Sequence, residues 1–310
     1  MHRPVLLSEA IERLSVRPDG LYLDATVGAG GHALEIVRRL KTGRLIGLDL
    51  DPEALELAGR RLADYQERVT LLQANFRDLG RALAELHIEK LDGVLFDLGV
   101  SSMQFDRAER GFSFRHDAPL DMRLDPSGPL NARQLVNESS RAELARILCE
   151  YGEERYAERI ATQIVRARQR APGGIQTTGQ LAKLITEAIP WPARRHLKIH
   201  PATRSFQALR IAVNDELGNL RLGLAAALAW LKIGGVLVVI SFHSLEDRIV
   251  KRFLREQARG CLCPPGLPEC ICGHRPALEL LSPARPSEDE ISANPRARSA
   301  RLRAGRRVTN

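Results

Sequence analysis

Short apolar segments alternate with amphipathic ones through the first third of the chain, and this alternation restricts the fold more than any other feature. Four strands are predicted, at Gly20–Ala25, Arg44–Asp49, Val69–Leu72 and Asp92–Leu98. A helix is predicted between each strand and the next, beginning with His32–Lys41. Strands separated by helices pair in parallel, because each helical crossover returns the chain to the same end of the sheet. The sequence therefore predicts an α/β fold with a Rossmann-like doubly wound sheet.

The alternation stops after the fourth strand. From about residue 105 to residue 205 no strand is evident, and helices are predicted at about Glu153–Arg170 and Thr178–Ile189. Ser140 and Glu143 fit a capping box that opens another helix. This block is predicted to be an inserted all-helical domain.

The sheet is predicted to resume in the last third of the chain. Gly235–Ile240 is the most strand-like run, and Ser244–Glu256 follows it as a helix. Ala277–Leu281 and Ala300–Val308 are expected to close the sheet as an antiparallel pair. The expected organisation is a core in two parts, 1–104 and 206–310, the second ending in a basic C-terminal tail. The inserted helical domain, 105–205, is expected to recognise the substrate.

The charge of the chain favours a polyanionic partner. Lys and Arg number 46 against 38 Asp and Glu, a formal net charge of +8, and neutralising phosphates releases counterions. The basic residues cluster at Arg194, Arg195, Lys198, Arg296, Arg298, Arg301, Arg303, Arg306 and Arg307. Aromatic residues make up only 5% of the chain, which argues against a binding face built mainly on base stacking.

No segment of the sequence indicates a membrane or an exported protein. No apolar run approaches the roughly 20 residues that a membrane-spanning helix needs. Residues 1–9 lack the charged start, apolar stretch and cleavage site of a signal peptide. A cytoplasmic protein without a membrane partner is therefore expected.

A glycine-rich turn, Asp24–His32, joins the first strand to the first helix. Glycines at such a turn let the backbone approach a nucleotide above the helix N-terminus. Asp49, at the end of the second strand, can accept hydrogen bonds from both ribose hydroxyls. A tight turn without a ligand and a turn residue before Pro52 are the plain structural alternatives. Together the two features predict a nucleotide cofactor, without separating a nicotinamide from S-adenosylmethionine.

Two acidic residues favour S-adenosylmethionine. Asp24 precedes the glycines, where a carboxylate attracts a cationic amino group and repels a pyrophosphate. Asp97 ends the fourth strand, and ligands of open α/β sheets lie over the carboxyl ends of the strands. A carboxylate buried at that point is costly without a polar partner.

Long motifs run from one end of the sequence to the other. They are His2–Leu7, Asp24–His32, Asp97–Gln104, Glu109–Phe114, Pro119–Arg123, Tyr151–Arg155, His200–Arg210, Ser241–Arg248 and Asn294–Ser299. In content and order they resemble the motifs of the bacterial ribosomal small-subunit RNA cytosine-N4 methyltransferases.

The resemblance implies a methyltransferase fold with a helical insertion and S-adenosylmethionine as cofactor. Its implied target is the exocyclic amine of a cytosine in ribosomal RNA, within the assembled or assembling small subunit. It also implies cofactor contacts at Gly30, Gly31, His32, Asp49, Phe76, Asp97 and Gln104. The sequence leaves a homodimer open. A DNA amino methyltransferase, a nicotinamide oxidoreductase and a non-catalytic RNA-binding protein are the alternatives.

The amine of cytosine is a poor nucleophile, because its lone pair is delocalised into the ring. The enzyme must hold the nitrogen in line with the methyl group, and an acceptor for its N–H would help. The candidates are Asp97, a backbone carbonyl near Leu98, Ser101 and Ser102. The two prolines and the aromatic residue that many amino methyltransferases carry at this strand end are absent.

Further candidates for the substrate site lie in two other segments. His243 follows the fifth predicted strand and is a catalytic candidate, with a structural role as the alternative. Ser244 is expected to cap the helix that follows. The target base must leave its stack, and Phe105, Phe112 and Phe114 either flank that base or anchor the loop.

Four cysteines and a histidine lie close together near the C-terminal end: Cys261, Cys263, Cys270, Cys272 and His274. Disulfides are not expected in the cytoplasm. Four thiolates, or three with the histidine, could bind zinc, but the spacing differs from the usual Cys-x2-Cys. Thiols without a metal are therefore the expectation, and zinc is the alternative.

Overall fold

The computed structural model describes residues 4–100, 104–105, 107–197, 199–261, 263 and 271–309. The chain forms two compact units. The sheet unit comprises Met1–Gly99 and Leu217–Asn310, and the helical unit comprises Val100–Glu216. Among the described residues, no helix is both long enough and apolar enough to cross a membrane.

The sheet unit begins with the predicted alternation of strands and helices. Its first elements are α1 (Leu7–Leu14), β1 (Leu21–Asp24), α2 (Gly31–Val37), β2 (Arg44–Asp49), α3 (Pro52–Arg61), β3 (Val69–Gln73), α4 (Leu79–Glu85) and β4 (Leu91–Asp97). β1 pairs in parallel with β2 and with β4, and β2 pairs in parallel with β3. The four predicted strands are thus confirmed.

The helical unit packs its helices around a core of its own. The helices described in it are α5 (Ala132–Glu138), α6 (Arg141–Gly152), α7 (Ala157–Arg170), α8 (Thr178–Ala188), α9 (Trp191–Arg194) and α10 (Thr203–Asn214). Ser140 Oγ accepts a hydrogen bond from the Glu143 N–H at 3.1 Å and caps α6, which is one half of the predicted capping box. The Glu143 carboxylate pairs with Arg146. The core consists of the apolar stripes of the helices, with Leu144, Ile160 and Leu181 fully buried.

The end of the helical unit lies later than predicted. The expected boundary between residues 205 and 206 falls inside α10, whose Phe206 and Leu209 are buried in the core of the helical unit. Because α10 belongs to that core, the unit extends to Glu216.

The last third of the chain completes the sheet. Its elements are α11 (Glu216–Trp230), β5 (Leu231–Ser241), α12 (Ser244–Gln257), β6 (Leu278–Ala284), α13 (Glu288–Ala293) and β7 (Arg301–Arg307). β5 pairs in parallel with β4, and β7 pairs antiparallel with both β5 and β6. The strand order is β3-β2-β1-β4-β5-β7-β6. The predicted doubly wound α/β sheet and its closing antiparallel pair are confirmed.

Both faces of the sheet are covered by apolar side chains. Leu45 and Ile36 are buried on one face, and Phe96 and Leu224 are buried on the other. A strand that is covered on both sides has no polar face. This burial explains the nearly continuous apolar run of β4.

The C-terminal arginines do not form the predicted basic tail. Residues 301–307 are β7, which lies inside the sheet between β5 and β6. Leu302 is fully buried, and Arg303 donates to both carboxylate oxygens of Asp247 at 2.6 and 3.0 Å. Arg307 donates to three backbone carbonyls where α11 joins β5. The arginines alternate with residues that pack into the core, so the segment folds as a strand.

Candidate active site

Three acidic residues meet at the carboxyl ends of β1, β2 and β4. Asp24, Asp49 and Asp97 are the last residues of these strands, which lie side by side in the order β2-β1-β4. Burial raises the pKa of both Asp24 and Asp97, and the negative charges of Asp49 and Asp24, respectively, raise them further. The structure therefore places together the three carboxyl groups that the strand ends predicted.

Asp49 organises the glycine-rich turn. Its Oδ2 accepts a hydrogen bond from the Gly28 N–H at 2.8 Å, and its Oδ1 accepts one from the Asp51 N–H at 2.9 Å. A carboxylate offers about four acceptor positions, so capacity remains for the hydroxyls of a ribose. Burial raises the pKa of Asp49, and the two backbone N–H groups oppose that effect.

The glycines let the turn pass close to α3 at Gly30 and leave the turn open to a ligand at Gly28. Gly30 has a φ of 75°, and a Cβ there would lie 3.2 Å from Ala58 Cα. Gly28 has a φ of 51°, and a Cβ there would meet nothing closer than the Thr26 carbonyl oxygen at 3.9 Å. Gly31 opens α2, where a side chain would collide with the ring of Pro4. A ligand can thus approach the backbone over Gly28.

Asp24 lies beneath this turn and is 1% exposed. Its Oδ1 accepts a hydrogen bond from the Thr26 N–H at 3.2 Å. Burial raises the pKa of Asp24 to about 7, although the Thr26 hydrogen bond acts in the opposite direction. A buried carboxyl with a raised pKa favours any ligand that brings a positive charge close to it.

His32 and Thr26 hold Asp97 in place. The Asp97 N–H donates to Thr26 Oγ1 at 2.7 Å, and His32 Nδ1 lies 3.4 Å from Asp97 Oδ2. His32 Nε2 lies 3.1 Å from the Val5 carbonyl oxygen, which can only accept, so Nε2 carries the hydrogen. Burial lowers the pKa of His32 to about 4, and the ring is therefore neutral with a lone pair on Nδ1. Protonated Asp97 is placed to donate to that lone pair.

The second oxygen of Asp97 is available to a ligand. Oδ1 is buried and has no hydrogen-bond partner among the described residues. Burial, together with the charges of Asp24 and Glu246, raises the pKa of Asp97 well above its ordinary value. A buried acceptor without a partner is costly. The arrangement suits a ligand that donates a hydrogen bond or carries a positive charge at this point.

His243 lies at the carboxyl end of β5, which pairs with β4 so that Ile240 is opposite Asp97. It is the N-cap of α12: its Nδ1 accepts from the Glu246 N–H at 3.4 Å, and Glu246 Oε2 accepts from the His243 N–H at 3.2 Å. The cap is therefore His243 and not Ser244, because the helix begins at Ser244 itself, one residue earlier than a cap at Ser244 would place it. A catalytic role for His243 stays a prediction.

The other site candidates differ in where they lie. Phe76 follows β3, whose end is joined to β2 by a hydrogen bond from the Ala74 N–H to the Asp49 carbonyl oxygen at 3.0 Å. Its ring packs edge-on against Phe96 at 5.5 Å. Gln104 belongs to the helical unit and is buried there. Ser101 and Ser102 lie outside the described residues.

Three contributors to the site were not predicted from the sequence. Thr26 fixes the backbone of Asp97, the Val5 carbonyl fixes the tautomer of His32, and Glu246 adds negative charge near Asp97. Val5 and Thr26 lie within two of the motifs that carry the family resemblance, His2–Leu7 and Asp24–His32. This position is the only signal that the sequence gives for them. Glu246 lies in another of these motifs, Ser241–Arg248.

The aromatic residues that follow β4 pack within the helical unit. Phe105 and Phe112 lie 6.4 Å apart between ring centroids. Phe114 lies 4.9 Å from Phe206 and 4.5 Å from the ring of His200. These contacts support a role for the three rings as anchors of the loop, and not as residues that flank the target base.

Comparison with known proteins gives matches along nearly the whole chain. The model of the MraW methylase family matches residues 1–308. A protein named "Ribosomal RNA small subunit methyltransferase H" from Heliobacterium modesticaldum is 56% identical over 99% of this chain and 98% of its own length. Proteins with the same name from Symbiobacterium thermophilum and Syntrophotalea carbinolica are 57% and 55% identical, over 98% and 99% of this chain and 95% and 98% of theirs. The resemblance stated from the motifs is confirmed.

Proposed function

Because the chain belongs to the MraW methylase family, we propose that it methylates the exocyclic N4 amine of a cytosine in small-subunit ribosomal RNA, using S-adenosylmethionine. The names of the relatives supply the substrate class. The observation that carries the chemistry is the buried Oδ1 of Asp97, which has no hydrogen-bond partner among the described residues, beside the buried carboxyl group of Asp24 and the half-buried one of Asp49.

The residues of the turn fit S-adenosylmethionine. Asp24, Asp49 and Asp97 form an acidic cluster, and burial raises the pKa of each carboxyl group because it penalises the charged form. A ligand with an ammonium and a sulfonium group relieves the penalty, whereas a pyrophosphate would add to it. The remaining acceptor positions of Asp49 suit the ribose hydroxyls, and the open surface over Gly28 admits the ligand. When bound, S-adenosylmethionine supplies a methyl group activated by its sulfonium.

Asp97 is the proposed acceptor for the target amine. Its Oδ1 can accept an N–H of the cytosine in either protonation state, which localises the nitrogen lone pair and orients it. Thr26 and His32 restrict the carboxyl group to one position, so little reorganisation is needed when the base arrives. When Asp97 is ionised, it is also positioned to receive the proton that the amine loses after methylation.

A change of Asp97 to Asn tests this assignment. Asp97→Asn keeps the shape of the side chain but removes its charge and weakens its basicity. We expect kcat to fall by roughly 100-fold or more, and to stay low at saturating S-adenosylmethionine and RNA, because a transition-state interaction is lost. Single-turnover assays on small ribosomal subunits measure this rate. Recovery of the parent rate at saturation would rule out Asp97 and leave the Leu98 carbonyl, Ser101 or Ser102 as the acceptor.

We further propose that the helical unit recognises the RNA. A cavity of about 370 Å³ lies within it, and its lining includes Lys183, Arg194 and His200. Arg194 Nε is buried and has no hydrogen-bond partner among the described residues. Nearby in sequence, Trp191 is 59% exposed, and the guanidinium of Arg195 lies 4.6 Å from the centre of its ring. Cations suit phosphates, and an exposed indole suits a stacked base.

The setting of the reaction is the cytoplasm, with the assembled or assembling small subunit as substrate. The proteins that this chain resembles are named for the small subunit. Methylation of intact subunits, of subunits stripped of late-assembling proteins and of protein-free RNA distinguishes the stages. Sedimentation of the purified protein tests the homodimer, which stays a prediction.

A further inference from the structure

A loop rich in cysteine joins α12 to β6. This cysteine loop, residues 258–277, is closed at its base by a hydrogen bond from the Ala277 N–H to the Gln257 carbonyl oxygen at 2.8 Å. Its described part has little apolar burial, since Ile271 is 82% exposed. The described part of the loop therefore contributes no apolar core that would stabilise its conformation.

Three thiols converge inside the cysteine loop. The Sγ atoms of Cys261, Cys263 and Cys272 all lie within 4.8 Å of one another, and those of Cys261 and Cys272 are 3.8 Å apart. Two thiolates bound to one zinc ion at about 2.3 Å and at the tetrahedral angle lie about 3.8 Å apart. The observed spacing is therefore the one that a shared zinc ion requires.

The surroundings of the sulfur atoms favour thiolates. The Cys263 N–H points to Cys261 Sγ at 3.4 Å, and a donated N–H stabilises a thiolate ligand. Arg259 and Arg275 flank the cluster in sequence. The three thiols supply three ligands, and the fourth position of a tetrahedral zinc ion is left to another group or to water. Cys270 lies outside the described residues and is not part of the proposed site.

We propose that Cys261, Cys263 and Cys272 hold one structural zinc ion that fixes the cysteine loop. Three soft thiolates select zinc over the harder divalent cations. Each thiol releases its proton to solvent when the metal binds, so the affinity falls as the pH is lowered. The ion links Cys272 to Cys261 and Cys263 across the loop and so restricts its conformation.

The metal content of the full-length protein tests this proposal directly. Protein purified without chelators and without added metal is expected to hold about one zinc ion per chain. Cys261→Ser and Cys272→Ser should each lower that content to less than about a tenth. Cys149→Ser is the matched control, because Cys149 is an exposed cysteine of the helical unit, and it should leave the content unchanged.

A second measurement covers the case in which a serine variant fails to fold. In the parent protein, a mercurial that titrates thiols should release the zinc, and cobalt substitution should give the thiolate charge-transfer bands of a tetrahedral site. The proposal is overturned if the parent holds less than about a tenth of an ion after zinc addition and desalting. It is also overturned if mass spectrometry of the alkylated parent finds Cys261 and Cys272 joined in a disulfide.

Discussion

At the scale of single residues, the burial of Asp24 determines how the ligand-free protein responds to pH. Burial raises its pKa from 3.8 to about 7. Between these values the unfolded chain has released the proton and the folded chain has kept it. The stability contributed by the protonated acid is therefore lost as the pH rises through this window. His32 acts in the opposite sense, because its pKa is lowered to about 4 and acid destabilises its buried neutral ring.

We expect Asp24→Asn to stabilise the ligand-free protein at pH 8, because it removes a buried negative charge. The gain should be roughly 2–4 kcal/mol at pH 8 and should shrink as the pH falls towards 4, where the parent carboxyl is protonated. Thermal unfolding of both proteins across this pH range measures the difference. Asp19→Asn, at an exposed position, controls for the general effect of removing a charge.

A constant difference between parent and Asp24→Asn at every pH would contradict this interpretation of Asp24. The same variant should bind S-adenosylmethionine more weakly, because the carboxylate that favours the ammonium group is gone. A variant that is more stable but less able to bind is the expected signature of a residue kept for function.

At the scale of elements, the start of α12 gives His243 a structural role, that of the N-cap. The His243 side chain is 11% exposed, and its Nε2 lies 3.2 Å from Glu246 Oε1. Its Nδ1 accepts from the first turn of the helix. These contacts fall within one helix turn and describe a cap, while His243 Nε2 is buried and makes no hydrogen bond among the described residues, so the catalytic role stays a prediction beside the structural one.

We expect His243→Asn to keep both stability and rate, because Asn is a good N-cap. His243→Ala should lose roughly 0.5–2 kcal/mol of stability, the usual cost of a lost cap. Thermal unfolding and single-turnover methylation, measured on the same preparations, separate the two effects. If His243→Asn leaves thermal unfolding unchanged but lowers the methylation rate by about 100-fold or more, His243 takes part in the reaction.

The elements of the sheet were predictable because their signal is local. β4 is an apolar run in the sequence because both of its faces are covered. β1, β2 and β4 each end in an aspartate, a residue type that is common in turns. The extent of the helical unit was not predictable. α10 is assigned by the packing of Phe206 and Leu209 against distant helices, and no local pattern states which unit a helix joins.

The candidate site was predictable to the level of its carboxyl groups. Asp24, Asp49 and Asp97 follow from the rule that parallel strands present their carboxyl ends to ligands. The hydroxyl of Thr26 and the carbonyl of Val5 act through hydrogen bonds to Asp97 and His32. Such bonds depend on distances between separate segments, so the residue types alone do not reveal them.

At the scale of the whole molecule, the net charge of +8 is not distributed as the sequence suggested. Arg303 and Arg307 are engaged within the sheet unit, by Asp247 and by backbone carbonyls. Arg194 and Arg195 in the helical unit have no carboxylate partner among the described ion pairs, and Lys198 lies outside the described residues. The phosphate contacts of the RNA are therefore expected mainly at the helical unit.

We expect a double variant, Arg194→Gln with Arg195→Gln, to weaken RNA binding and to flatten its dependence on salt. Each phosphate contact with single-stranded RNA contributes a slope of about −0.7 in log K against log salt, because bound counterions are released. Two lost contacts should therefore reduce the slope by about 1.4. Fluorescence anisotropy with a labelled fragment of small-subunit RNA, from about 50 to 300 mM salt, measures it. Arg60→Gln with Arg39→Gln is the matched control, since Arg60 lies exposed on α3 and Arg39 lies exposed in the turn after α2, both in the sheet unit. An equal change in slope for the control pair would show that net charge, and not the helical unit, governs binding.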